Sequence, residues 1–204
     1  MFAEFNLWNW DLAARPGECF RSLLPVVLIA TAVLPGLHLA LSLLGRRAAR
    51  PRMPWNLWER LVYLLTLGSV AVLGATAFFA VLRFGALQGW LLFAHMFGAG
   101  GLVLVLPLLA ITWCEASCFG ARGQQGGERG EFAERFFWFP KIMFWILLAS
   151  GLAVSLSMLL SMLPLFGSDG LQALLDVHRY SGLLAVVATV FHGYSVLLQR
   201  VGLR

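Results

Sequence analysis

Five runs of the chain are apolar enough and long enough to cross a lipid bilayer: about 22–45, 60–82, 90–113, 139–163 and 177–199. At about 1.5 Å of rise per residue, each covers the roughly 30 Å hydrocarbon core as a helix. Hydrophobic residues make up 60% of the 204 and charged residues 12%, and the mean hydropathy is +0.81. A soluble domain of this size has too little interior to hide so much apolar surface. The fold class expected is therefore all-α and integral to the membrane: a five-helix transmembrane bundle with short connections and no internal repeat.

The first run follows MFAEFNLWNWDLAARPGECFR, residues 1–21, which mixes charges and shows neither a basic leader nor a small-residue cleavage site. It is expected to be a retained helix rather than a secretion signal. The chain divides into an outer-side segment (1–21), a first transmembrane helix (22–45) and a four-helix core (55–204). The amphipathic stretch FAEFNLWNWDL reads as an interfacial anchor, or as a docking element for a partner.

Basic residues set the orientation. Eleven of the fifteen fall on one side: five Arg in 46–60, then Arg122, Arg129, Arg135, Lys141, Arg200 and Arg204. The positive-inside rule puts this side in the cytoplasm, with the N-terminus outside and the C-terminus inside a bacterial inner membrane. The sequence pI of about 9.7 thus reflects topology, and no nucleic-acid partner is expected. The glycine-rich stretch GARGQQGGERGEFAER (120–135) lacks the G-x-x-x-x-G-K-[ST] pattern and follows no strand, so it is not a phosphate loop. Trp55, Trp58, Trp90, Trp113, Trp138 and Trp145 fall near helix ends and read as an interfacial belt. Cys114 and Cys118 form a C-x3-C pair that could bind metal or cycle as a dithiol; the simpler reading is two small residues packing at a helix end.

The informative residues are histidines. All four, His38, His95, His178 and His192, lie inside or at the edge of apolar runs, and none falls in a loop. Ionisable groups there are costly and face a bundle interior. Depth sorts them into pairs: His95 with His178 near the outside, His38 with His192 near the cytoplasm. His178 and His192 are fourteen residues apart, about 1400° of rotation, so they project from one helix face, separated by roughly 21 Å. Paired neutral imidazoles from different helices suit axial ligation of haem iron with no position left open, which is an electron-transfer arrangement. Zinc would need four ligands converging at one depth. Gly98, Gly182 and Gly193 lie beside the histidines and would admit either a macrocycle or a neighbouring helix. Arg179 could meet a haem propionate or snorkel to the interface.

Residues from about 55 to 199 resemble the cytochrome b (gamma) subunit of membrane-bound formate dehydrogenases, and the related cytochrome b of nickel–iron hydrogenases. The resemblance rests on the fourteen-residue spacing of His178 and His192, on His95 in LLFAHMFGAG, and on KIMFWILLASG (141–151). It implies a four-helix core holding two b haems, with these histidines among the ligands. Two departures matter. The family's first helix opens on a motif like E-R-x-x-H-W, whose His ligates the inner haem; here the stretch is ERLVYLL, with Tyr63 in its place. His38, on the additional helix, is the candidate replacement. The family's F-N-x-G-Q-K stretch near the quinone is here FFWFPK, with Phe137 and Pro140 where Asn and Gln would fall. Tyr63 could then serve as a hydrogen-bond donor to quinone or as an interfacial anchor.

The expected function is a membrane cytochrome b subunit of a respiratory redox complex. Two b haems would carry electrons between an iron–sulfur or c-type haem subunit outside and the quinone pool, with the catalytic centre on another subunit. Two other readings are a cofactor-free anchor and a proton-coupled transporter using the histidines. A transporter of that kind would show broken helices and paired repeats; Pro35 is the one candidate break deep in a span.

Overall fold

The structure is a computed structural model and describes residues 16–44, 55–119 and 138–201. The glycine-rich stretch, most of the 46–60 loop and the N-terminal segment to residue 15 lie outside the described residues. The described part is helical, with no strand: α1 (Pro16–Leu44), α2 (Leu57–Phe84), α3 (Gly89–Trp113), a 3-10 turn (Glu115–Ser117), α4 (Trp138–Ser161) and α5 (Ser168–Val201).

Local chemistry sets several helix ends. At the start of α2, the Glu59 N–H donates to Asn56 Oδ1 at 2.7 Å and the Asn56 N–H donates to Glu59 Oε2 at 3.0 Å. This reciprocal cap satisfies two backbone donors that the helix cannot. At its other end Gly85 takes φ +78° and Gly89 φ +58°, a conformation that glycine adopts without steric cost. The turn to α3 is accordingly tight. Pro16 and Pro140 each sit in a first helical turn, where the missing N–H costs nothing. Helix α5 begins at Ser168, some nine residues before the apolar run. Hydropathy marks only the lipid-facing length, whereas the helix continues into its polar start around Asp169 and Asp176.

Pro25 and Pro35 lie within α1, and Pro107 lies within α3. Both helices continue past these prolines, so neither α1 nor α3 is broken at them. Among the described residues, five helices are long and apolar enough to span a membrane. Large apolar side chains such as Ile111, Leu104 and Phe97 face outward, as lipid permits and water does not.

Helices α2 and α3 form one tightly packed hairpin and α4 and α5 another; contact between the hairpins is sparse. Helix α1 lies across them, against α5 and more lightly α2. Its direction follows that of α5: Phe20 meets Tyr180 and His38 meets Tyr194. The core is concentrated toward one end of the bundle, where Trp113, Phe144, Leu109, Val62 and His192 are almost wholly enclosed. Trp113, expected at the interface, is instead core, because the indole ring packs on Trp55 and Tyr63.

Candidate functional site

His95 on α3 and His178 on α5 face each other across the seam between the two hairpins, with ring centroids 6.4 Å apart. Each ring is held by its Nδ1. His178 Nδ1–H donates to the Val154 carbonyl on α4 at 3.1 Å, and Ser157 Oγ lies 3.4 Å away. His95 Nδ1 lies 3.0 Å from Thr76 Oγ1 on α2. The Thr76 hydroxyl proton already goes to the Val72 carbonyl at 2.6 Å, so His95 Nδ1 is the donor and the threonine oxygen accepts. Both rings therefore carry their proton on Nδ1 and keep the Nε2 lone pair for another partner. A ligating histidine is held in this manner, its second nitrogen anchored by an oxygen. An ion between two imidazoles at about 2.0 Å per bond, each Nε2 lying about 1.1 Å from its ring centre, puts the centroids about 6.2 Å apart. The observed separation is close to that, so His95 and His178 are the residues that would hold a metal ion at this end of the bundle.

Arg179, one residue on, already has a carboxylate. Its Nη1 donates to Asp176 Oδ1 at 3.1 Å and lies alongside Gly17 at the start of α1. It thereby lies where α1 and α5 pass each other at this end of the bundle.

The other end is arranged differently. His192 is 2% exposed. Its Nδ1–H donates to the Pro140 carbonyl at 2.9 Å. Its ring lies beside Tyr63 (5.9 Å) and Phe144 (6.1 Å). Tyr63 is buried, not interfacial, and packs on Trp55 and Trp113. His38 occupies a separate setting. Its Nδ1 lies 2.7 Å from the Tyr194 hydroxyl and 3.4 Å from Ser42 Oγ. The ring is exposed and lines a cavity of about 470 Å³ with Pro35, Phe139, Pro140, Tyr194, Ser195 and Gln199. His38 thus meets α5 near the expected depth, but on Tyr194. The neighbours that hold His38 and His192 do not fit a haem between them.

The glycines beside the histidines serve helix approach. A Cβ at Gly98 would come within 3.1 Å of Val72 and Leu73, one at Gly182 within 3.6 Å of Val154, and one at Gly193 within 3.3 Å of the Tyr63 hydroxyl. Cys114 is half-buried and Cys118 exposed. Burial, then the neighbouring Cys118 thiol, pushes the Cys114 thiol up, which keeps it protonated and disfavours a thiolate ligand. Among the described residues no three His, Cys, Asp or Glu side chains converge as a metal site. Lys141 Nζ donates to the Cys118 carbonyl at 2.7 Å and Trp145 Nε1 to the Ser117 carbonyl at 3.0 Å, so α4 clamps the turn that follows α3.

Sequence reasoning missed the partners. Thr76, Val154, Pro140 and Tyr194 belong to helices whose facing was not legible. The one available signal was a hydroxyl in an otherwise apolar run, which describes Thr76, Ser157 and Tyr194.

Compared with models of known families, with curated proteins and with solved structures, the chain matches none. What the fold defines is a class: a multi-pass helical membrane protein, with five helices apolar enough to span among the described residues.

Proposed function

We propose that the chain is the membrane subunit of a respiratory redox complex, a b-type cytochrome that passes electrons between a partner outside the membrane and the quinone pool. The observation that carries the reading is the His95–His178 pair: two imidazoles 6.4 Å apart on different hairpins, each anchored through Nδ1. When bound, the haem iron supplies one-electron exchange; the protein supplies ligation, orientation and an apolar surround. Held by His95 and His178 together, the iron would have no open position for substrate, and the catalytic centre would belong to another subunit. The iron–sulfur or c-type haem partner would dock at the His95–His178 end, which the positive-inside rule assigns to the outside of a bacterial inner membrane.

For quinone, the supporting feature is the cavity of about 470 Å³ between α1, α4 and α5. Its walls are mostly apolar and aromatic, and His38 and Tyr194 offer a hydrogen-bonding pair at 2.7 Å. That combination suits an aromatic head with carbonyl oxygens, and it gives His38 a role in that cavity instead of on iron.

The test is the reduced-minus-oxidised spectrum of the purified chain. Soret and α bands of a six-coordinate b haem are expected, and His95→Ala and His178→Ala should each abolish them while the protein still inserts. A chain purified from haem-replete cells with no such bands is not a cytochrome.

A further inference from the structure

We infer that the chain carries one haem, on His95 and His178, and that the end of the bundle around His192 is closed by an aromatic wedge instead of a second haem. The inference rests on the cytochrome reading above and narrows its haem count to one.

The two ends differ in what surrounds the imidazole. His95 and His178 have each other at the separation that two metal–nitrogen bonds require. Beside His192 lie a phenol and a phenyl, Tyr63 at 5.9 Å and Phe144 at 6.1 Å. The imidazole is 2% exposed, so no surface is left against which a macrocycle could lie. Tyrosinate can itself ligate haem iron, but iron held between an imidazole and a phenolate oxygen keeps the two ring centres about 7 Å apart. At 5.9 Å, Tyr63 is about 1 Å too close for that. Nor is it free to withdraw. Trp55 and Trp113 pack against it at 5.2 and 5.5 Å, with Trp55 on Trp113 at 4.5 Å, and its hydroxyl lies along the Gly193 backbone. His38 supplies no second imidazole, because Tyr194 and Ser42 hold its ring beside a different cavity.

His192 has another task in this arrangement. By donating to the Pro140 carbonyl at 2.9 Å it ties α5 to the first turn of α4, and a buried imidazole with its N–H satisfied costs little in a membrane interior. It is a strut that retains the spacing of a ligand.

The experiment is the haem-to-protein ratio of the purified chain, by pyridine haemochrome against amino-acid analysis, with a redox titration of the α band. One haem per chain and a single one-electron wave are expected. His192→Gln, whose amide can still donate to Pro140, and His38→Ala should both retain that haem, while His95→Ala loses it. Two haems per chain, or loss of haem in His192→Gln or His38→Ala, overturns the inference and leaves the cytochrome reading intact. No haem at all overturns the reading itself.

Discussion

Thr76 shows what a single residue contributes. In an apolar helix its hydroxyl would otherwise be spent on its own backbone, and it does donate to Val72. The leftover lone pair lies 3.0 Å from His95 Nδ1 and can accept its proton, which leaves Nε2 for another partner. Partners of this kind typically contribute about 10–100-fold in metal affinity. Thr76→Val, which keeps the shape and removes the oxygen, should weaken haem binding by about that factor, and Thr76→Ser should restore most of it. Titration of haem into apoprotein, followed at the Soret band, measures both. A valine variant that binds as wild type would mean that Thr76 does not position the ring. None of this was legible in the sequence. The histidine was conspicuous, but threonine is ordinary in membrane helices, and only the facing of α2 against α3 makes this one a partner.

At the scale of helices, close approach depends on small residues, since apolar side chains gain little from leaving lipid. Gly98 on α3 lets α2 come near enough for Thr76 to reach His95; a Cβ there would meet Val72 and Leu73 at 3.1 Å. Gly100, two residues on, has nothing within 4 Å. Gly98→Leu is therefore expected to destabilise the bundle by about 1–3 kcal/mol through overpacking, while Gly100→Leu is close to neutral. Denaturant midpoints in detergent compare the two, and equal midpoints would remove the packing argument. The sequence already marked Gly98, with Gly182 and Gly193, as a site of close approach, of either a macrocycle or a neighbouring helix. In the structure it is neighbouring side chains, because α2 packs directly on α3 and α4 directly on α5. Helix existence was plain from apolar length. Helix limits were less so: α5 is helical well before its apolar run, since hydrogen bonding carries a helix beyond the part that lipid requires.

For the molecule as a whole, the arrangement is two tight hairpins loosely joined, with α1 laid across them, and the seam between the hairpins is where His95 and His178 meet. Orientation is testable with the chain's own thiols. Cys118 is exposed and Cys114 half-buried, both just beyond α3 at the end assigned to the cytoplasm. In a Cys19→Ser background, a membrane-impermeant maleimide should label neither thiol in intact cells and Cys118 after permeabilisation. Cys114 should follow only at higher pH, because its raised pKa leaves less thiolate at neutrality. Labelling of Cys118 in intact cells would invert the proposed topology.

Length and apolarity alone marked the five apolar runs as helices able to span a membrane, because a bilayer accepts little else from runs of that kind. Helical periodicity alone placed His178 and His192 on one face of one helix, since rotation per residue is a local property. Which imidazole each of them meets was decided by tertiary structure. Depth along a helix axis is readable from residue counts, whereas rotation of one helix against another depends on packing of all its neighbours at once. Two histidines of equal depth on α3 and α5 turned out to face each other. Two others, His38 and His192, also of matched depth, were turned to Tyr194 and to Pro140.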